Sequence, residues 1–296
     1  MDEVPEDWDR ALAVVAHPDD LEYGTSAAVA RWTGQGKTVT EVLATRGEAG
    51  IDSMDPDEVR RIRSAEQIEA ARIVGVETVE FLDLPDGTLE YGLPLRRSIA
   101  AAIRWHRPEV VLSVNFRETF PGGGFNMADH RALGLAVADA IRDAANRWVF
   151  RDLDLEPWQG VRFALFGGSP AATHYVDVGG HLQAGIDSLL AHRVYFSNLG
   201  AGFDAAAFLT GMAEEGGRAA GHRARDDVRD DRVLAAGVGP LALVVLASLA
   251  GPAFARLLRH ALIDHPRAVQ GKESARRRRQ EPAGAHARKG VRPGGR

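Results

Sequence analysis

The first half of the chain alternates between short apolar runs and longer stretches with the apolar spacing of helices. The first run, Ala11-Leu12-Ala13-Val14-Val15-Ala16, contains no polar residue and predicts a buried β-strand. Residues 38–45, 80–84 and 110–114 predict three more strands. Helices are predicted between them, over residues 21–35, 56–74 and 93–106. This alternation is typical of an α/β fold that has a mostly parallel sheet with helices on both faces.

The second half begins with the same kinds of element and then changes character. A helix is predicted from His130 to about residue 146, strands over residues 163–168 and 174–178, and helices over 181–193 and 205–220. Beyond these elements the chain loses its regular pattern. We therefore expect one folded domain over residues 1–220, followed by a C-terminal extension over residues 221–296.

The expected extension contains an apolar segment and a basic tail. Residues 233–255 carry no charge and are numerous enough to span a bilayer. Glycines and prolines interrupt this segment, which favours a buried hairpin or a loosely ordered extension, with membrane association as the alternative. Residues 272–296 include four consecutive arginines and are predicted to be disordered.

Polar residues that can carry chemistry stand at the ends of the predicted strands. His17-Pro18-Asp19-Asp20 directly follows the first strand, which Pro18 terminates because it has no N–H for the ladder. A helix cap would explain one of these aspartates, but not all three polar groups. Carboxyl ends of parallel strands share one edge of a sheet, where ligands bind. The loops at 45–48, 85–87 and 115–130 are predicted to open on that edge, which predicts an active site there.

The absence of cysteine narrows the chemistry. With no cysteine in 296 residues, a metal site must use His, Asp, Glu and water. Two histidines and one aspartate with a vacant fourth position are typical of catalytic zinc, and His17, Asp20 and His130 are the candidate ligands. Asp19 would then be the general base that later protonates the leaving amine. The sequence has no Gly-x-Ser-x-Gly elbow, no Gly-x-Gly-x-x-Gly after the first strand and no Walker motif.

The charge distribution bears on partners and location. The net charge is −5, although residues 256–296 carry twelve Lys/Arg and only three Asp/Glu. The body of the chain is therefore acidic, which argues against a nucleic-acid-binding catalytic domain. The N-terminus is acidic and lacks an apolar signal core, so we expect a cytoplasmic protein.

Four motifs together resemble the PIG-L/LmbE-like family of zinc-dependent de-N-acetylases. They are Ala16-His17-Pro18-Asp19-Asp20, Thr45-Arg46-Gly47-Glu48, Pro85-Asp86-Gly87 and Asp129-His130. The family includes deacetylases of mycothiol and bacillithiol biosynthesis and of N-acetylglucosaminyl-phosphatidylinositol. The resemblance implies a Rossmann-like fold and removal of an N-acetyl group from a small-molecule GlcNAc-type sugar conjugate. It also implies Zn²⁺ at His17, Asp20 and His130, with Asp19 as the base; these ligand types suit Fe²⁺ as well.

The resemblance suggests two substrate contacts outside the metal site. Arg63 matches an arginine that contacts substrate in the mycothiol branch, and Asp86 aligns with an acidic residue that can bind sugar hydroxyls. Arg63 could equally be a helix-surface arginine paired with Glu66 or Asp57. Asp86 could be a turn residue before Gly87, because Asp-Gly is a common turn.

The chain departs from the family pattern at the second metal segment. Many relatives have Tyr-Gly-His-Pro-Asp-His where this chain has Phe125-Asn126-Met127-Ala128-Asp129-His130. Neither Phe125 nor Met127 can donate a hydrogen bond to an oxyanion, and losing one such donor costs about 10²–10³ in rate. Asn126 is the nearest substitute donor. Two alternatives therefore stay open: a deacylase of another N-acylated metabolite or antibiotic, and a non-catalytic sugar- or metal-binding homologue. A homo-oligomer is compatible with either.

Overall fold

The computed structural model describes residues 1–199 and 203–221, and the backbone of two short strands, 233–236 and 243–245. Residues 1–255 form one compact unit and residues 256–296 a second. The second unit, including the predicted disordered tail, lies outside the described residues. So does the apolar segment 233–255, apart from the two strands. No helix among the described residues is both long enough and apolar enough to cross a membrane.

The described elements are nine strands, seven α-helices and two short 3-10 helices, Arg151–Leu153 and Gly179–His181. The strands are β1 (Asp2–Glu3), β2 (Arg10–Val15), β3 (Thr38–Leu43), β4 (Thr78–Phe81), β5 (Val110–Val114), β6 (Phe163–Gly167), β7 (His174–Asp177), β8 (Val233–Ala236) and β9 (Leu243–Val245). The helices are α1 (Ser26–Gly34), α2 (Pro56–Ile73), α3 (Leu93–His106), α4 (Ala128–Ala145), α5 (Leu182–Leu190), α6 (Arg193–Asn198) and α7 (Ala205–Ala220).

The main sheet is parallel, with the strand order β4-β3-β2-β5-β6-β9. The chain builds outward from β2 to β4 and then returns to the other side of β2 with β5. This reversal creates a switch point between β2 and β5, the position at which open α/β sheets commonly bind their ligands. The predicted parallel α/β architecture is confirmed.

Side chains alternate between two cores on opposite faces of the sheet. Ala11, Ala13 and Val15 of β2 join a core that includes residues of α1, α5 and α7. Leu12 and Val14 join the other core, which includes residues of α3 and α4. Burying one Leu or Val side chain stabilises the fold by about 1.5–3 kcal/mol, so both faces hold the sheet rigid beneath its carboxyl edge.

Three elements depart most from their predicted bounds, and the others agree to within two residues at each end. The strand predicted over 80–84 forms at Thr78–Phe81, because Asp83 has a φ of +55° and breaks the strand conformation. The helix predicted from residue 21 begins at Ser26, since turns occupy the residues before it. The helix predicted over 181–193 ends at Leu190, and α6 follows separately after His192 leaves the helical region with a ψ of 55°.

The predicted strand near residues 174–178 does not join the main sheet. As β7 it forms a second sheet in the order β1-β7-β8, parallel to β1 and antiparallel to β8. Sequence periodicity predicts a strand here but contains no information about which sheet it enters. The predicted domain boundary near residue 220 stays a prediction.

Candidate metal and catalytic site

The site lies at the carboxyl end of β2, beside the switch point. Contacts join the loops after β2, β3 and β4 to the start of α4. Thr45 Oγ1 donates to the Ala16 carbonyl oxygen at 2.9 Å, and the Gly87 N–H donates to Asp129 Oδ2 at 2.8 Å. The predicted convergence of strand-exit loops is therefore present in the structure.

The three predicted metal ligands come together across about 110 residues of chain. His130 Nε2 lies 3.0 Å from Asp20 Oδ1, and His17 Nδ1 lies 3.6 Å from the same oxygen. One ligand atom from each residue lies within 4.8 Å of the others. Two ligands about 2.0–2.1 Å from a tetrahedral zinc would lie about 3.3 Å apart. These donor atoms therefore fit a divalent cation in both type and spacing.

Backbone hydrogen bonds fix the orientation of Asp20. Its Oδ2 accepts the N–H groups of Ala16 and His17, each at 2.8 Å, which leaves Oδ1 toward the two imidazoles. Burial by itself raises the pKa of this carboxyl, but the neighbouring His130 and His17 outweigh it and lower the pKa well below the usual range. Asp20 is thus held as a carboxylate, the form that binds metals.

The other side of the His17 ring faces two carboxylates. His17 Nε2 lies 3.1 Å from both Asp129 Oδ2 and Asp86 Oδ1. Burial lowers the pKa of His17, but the charge of Asp20 and the hydrogen bonds to acidic neighbours raise it well above its usual value. Metal-ligating histidines almost always hydrogen-bond through their second nitrogen in this way, which fixes the tautomer.

Asp129 is a residue whose role the sequence did not indicate. Its two oxygens accept the N–H groups of Gly87 at 2.8 Å and Leu89 at 3.1 Å. His17, Asp86 and Asp129 form a second set of possible ligands, but these backbone bonds occupy Asp129 and favour its orienting His17. The sequence feature that could have pointed to Asp129 is its position directly before His130, in the Asp129-His130 motif.

Asp19 lies close to the candidate ligands but is not one of them, and its hydrogen bonds go to α2. It adopts a φ of +88°, which few residues other than glycine adopt. Its Oδ2 accepts from Arg63 Nη2 at 2.9 Å, and its N–H donates to Gln67 Oε1 at 2.9 Å. Burial raises the pKa of Asp19 to about 6, against the opposing effect of Arg63.

Arg63 is buried rather than on the helix surface. Besides Asp19 it donates to the carbonyl oxygens of Pro18 at 2.6 Å and Gly47 at 3.2 Å, and its guanidinium lies 4.1 Å from the ring centroid of Tyr195. Glu66, the alternative partner, instead accepts the Val194 N–H at 2.6 Å. Arg63 therefore forms its ion pair with Asp19, the candidate base.

Asp86 lies at the site, and each of its carboxylate oxygens contacts another group of the protein. Oδ1 contacts His17, and Oδ2 accepts the Ala49 N–H at 2.8 Å. Asp86 thereby links the loops after β3 and β4 to the metal ligand. It is more than a turn residue before Gly87, which does adopt a φ of +80°.

Asn126 lies beside His130, and its amide is fully engaged. Its Nδ2 donates to the carbonyl oxygens of Asn115 at 2.5 Å and Arg117 at 3.0 Å, while its Oδ1 lies 3.1 Å from His130 Nδ1. Both amide hydrogens are therefore used within the protein. In this arrangement Asn126 orients a metal ligand and has no hydrogen left for an acyl oxygen.

The residues on either side of Asn126 face solvent. Phe125 is 79% exposed and Met127 is 47% exposed, although Asn126 between them is buried. The segment that carries hydrogen-bond donors in many relatives thus presents an apolar edge in this chain.

Comparison with known proteins finds a family match over the part of the chain that contains the site. Residues 12–141 match the family model described as "PIG-L: GlcNAc-PI de-N-acetylase", a span that holds the candidate ligands and the base. Residues 12–141 therefore match the PIG-L family, and the resemblance noted in the sequence is confirmed.

Individual relatives are deacetylases by name. The 1D-myo-inositol 2-acetamido-2-deoxy-alpha-D-glucopyranoside deacetylase of Kineococcus radiotolerans is 34% identical over 191 residues, 51% of this chain and 49% of that protein. The diacetylchitobiose deacetylase of Thermococcus kodakarensis is 27% identical over 197 residues, 64% of this chain and 71% of that protein. The match therefore spans only about half of the Kineococcus protein.

A solved structure shows the same fold. The N,N'-diacetylchitobiose deacetylase from Pyrococcus horikoshii superposes with a TM-score of 0.65 at 22% identity, covering 73% of this chain and 81% of that one. At this identity the likeness establishes the fold alone.

Proposed function

We propose that this protein is a metal-dependent amidohydrolase that removes the N-acetyl group from a GlcNAc-type sugar conjugate. One observation carries the proposal: His17, Asp20 and His130 converge at the carboxyl end of β2, with Asp19 beside them and turned to other partners. The PIG-L family match over residues 12–141 supports the reaction class.

The proposal assigns a task to each atom of the site. Zn²⁺ or Fe²⁺ would be held by His17 Nδ1, Asp20 Oδ1 and His130 Nε2, where it supplies Lewis-acid polarisation of the acyl carbonyl and an acidified water. Asp19 takes the proton of the attacking water and passes it to the leaving amine. A carboxyl whose pKa is near 6 can accept and return a proton near neutral pH.

The contacts with the sugar stay predictions. Arg63, Asp86 and Asn126 each make hydrogen bonds or ion pairs within the protein. Both amide hydrogens of Asn126 are used in this way, so a hydrogen bond from Asn126 to substrate would have to replace one of them. The cytoplasmic location and a homo-oligomeric state also stay predictions.

The second candidate function is a deacylase of another N-acylated metabolite or antibiotic. It is favoured by the exposed apolar pair Phe125 and Met127 next to a metal ligand, a surface that suits an apolar group better than a sugar hydroxyl. A non-catalytic binding homologue stays the third candidate, because this segment lacks the usual donors.

Product release from a panel of substrates distinguishes these candidates. Acetate release is measured from N-acetylglucosaminyl-inositol, N,N'-diacetylchitobiose and an aryl N-acetylglucosaminide, and acyl release from an N-acylated glycopeptide, each with and without chelator. His130→Ala should abolish turnover, whereas His174→Ala, on the second sheet, should not. Turnover of the acylated glycopeptide alone would favour the second candidate. Metal binding without turnover of any substrate would favour the third.

A further inference from the structure

Gln67 of α2 sits between the proposed base and two buried carboxylates. Its Oε1 accepts the Asp19 N–H at 2.9 Å, while its Nε2 donates to Glu22 Oε1 at 3.2 Å and Glu41 Oε2 at 3.0 Å. We infer that Gln67 is a positioning residue that fixes the backbone of Asp19, and that Glu22 and Glu41 fix Gln67. The inference rests on the proposed function in taking Asp19 as the base.

The backbone of Asp19 needs external support. A φ of +88° lies in the left-handed region, which an aspartate occupies only when its surroundings impose it. Arg63 and Gln67 lie four residues apart, on the same face of α2. Arg63 binds the Pro18 carbonyl oxygen and the Asp19 carboxylate, and Gln67 binds the Asp19 N–H. One turn of α2 therefore holds the peptide before Asp19 and its side chain together.

A glutamine can hold an N–H in place only if its own amide cannot rotate. Rotating the amide by 180° would present Nε2 to the Asp19 N–H and Oε1 to the two glutamates. Glu22 and Glu41 accept from the same nitrogen, so this rotation would break all three hydrogen bonds and set an NH₂ group against the Asp19 N–H. The two carboxylates therefore specify which end of the amide faces the base.

The burial of these carboxylates is otherwise hard to explain. Glu22 is 1% exposed and Glu41 is 0% exposed, and each has one oxygen without a hydrogen-bond partner among the described residues. His192, also fully buried, lies 4.0 Å from Glu22. Burying carboxylates without a close cation costs more than burying apolar residues of similar size. A role in orienting Gln67 accounts for the burial of Glu22 and Glu41.

The first test compares Gln67→Leu with Ser188→Ala. Ser188 contacts Glu22 Oε1 at 3.4 Å and belongs to the same buried cluster, but it does not touch Asp19. Small displacements of catalytic groups can cost about 10²-fold, so Gln67→Leu should lower kcat by about 10- to 100-fold. KM and bound metal should stay within a factor of two or three of wild type. Ser188→Ala should leave kcat within the same margin even if it lowers the melting temperature.

An exchange of side chains separates positioning from simple loss of stability. Gln67→Glu alone sets a third carboxylate against Glu22 and Glu41, and it should lower kcat. Combining it with Glu41→Gln returns an amide donor to the cluster, while the carboxylate introduced at position 67 still accepts the Asp19 N–H. The double variant should recover most of the loss in kcat; a double variant as slow as the single one would overturn the proposed role.

A second measurement does not depend on catalysis. The amide hydrogen of Asp19, followed by NMR, should exchange slowly in wild type and in Ser188→Ala, and at least about tenfold faster in Gln67→Leu. Unchanged Asp19 exchange or unchanged kcat in folded Gln67→Leu would refute the inference. The two proposals can fail separately. If wild type hydrolyses none of the panel but Gln67→Leu still speeds the hydrogen exchange of the Asp19 amide, the proposed function fails and the positioning of Asp19 by Gln67 stands.

Discussion

The two sides of the candidate site are built very differently. On the β2 side, the loop carrying His17, Asp19 and Asp20 is held by backbone N–H groups and by two side chains of α2. On the α4 side, His130 is oriented by Asn126, and the residues flanking Asn126 are exposed and apolar. Holding a metal and a base is thus separable from stabilising an oxyanion. This chain has the residues for the first task, and the segment on the α4 side lacks the donors expected for the second.

Removing the proposed base on the β2 side should cause the largest loss of activity. Asp19→Asn removes a proton acceptor, and asparagine tolerates a positive φ, so the backbone should persist. We expect kcat to fall by about 10²–10⁴-fold with the metal content unchanged, as general-base loss predicts. Acetate release and metal analysis on the same sample check this. If the variant loses its bound metal as well as its turnover, Asp19 is the metal ligand and Asp20 the base.

Asp129 joins the two sides, and its replacement should weaken metal binding. Asp129 Oδ2 faces His17 and accepts the Gly87 N–H, and its Oδ1 accepts the Leu89 N–H. Asp129→Asn replaces one of these oxygens with an NH₂ group, which cannot accept a hydrogen bond. Loss of such a partner typically costs about 10–100-fold in metal affinity, which chelator competition measures. Asp139→Asn is the matched control, because Asp139 lies on the same helix but pairs with Tyr91. Equal metal affinity in both variants would remove Asp129 from the site.

Restoring a donor on the α4 side should raise activity. Met127→His introduces the side chain that many relatives carry at this place, where the amide hydrogens of Asn126 are already committed. An optimally placed donor is worth about 10²–10³ in rate, and without an evolved setting we expect a gain of about tenfold or less in kcat. Met127→Leu should change nothing. If histidine gives no gain while metal content is intact, another group of the protein already supplies this hydrogen bond.

The smallest effect concerns stability beneath the β2 side. Burial raises the pKa of Glu41 to about 7, against the opposing hydrogen bond from Gln67. Because this value exceeds that of an unfolded glutamate, near 4.5, the folded state holds the proton more tightly, and stability falls as the pH rises between these values. Glu41→Gln removes this pH-dependent loss. The free energy of unfolding of the variant relative to wild type should therefore increase by about 1–3 kcal/mol from pH 5 to pH 8. Urea unfolding at both pH values measures the gain; a difference independent of pH would exclude ionisation of Glu41 as its cause.

Sequence reasoning could bring the three candidate ligands together because the ends of parallel strands follow from topology. Parallel strands end at a common edge, so His17, Asp20 and His130 could be placed together without any side-chain detail. The strong apolar pattern of β2 and β5 and the family motifs made this part of the prediction secure.

The supporting residues could not be predicted in the same way. Gln67 looks like an ordinary polar residue of an amphipathic helix, and the sequence left Arg63 open between a substrate contact and a surface position. The packing of α2 shows that both are buried. Glu41 was a signal in retrospect, since a glutamate in the middle of an apolar strand must find a buried partner. The engagement of Asn126 depends on where two backbone carbonyls of a long loop lie, which no periodicity encodes.

The central claim is that His17, Asp20 and His130 hold one divalent cation on which amide hydrolysis depends. The most direct measurement is acetate release from an N-acetylglucosaminide while Zn²⁺ is titrated into chelator-stripped protein. We expect activity to rise from near zero and to saturate at one equivalent per chain, and His130→Ala to stay inactive throughout. Full turnover by stripped protein, or equal activation of His130→Ala, would contradict the account.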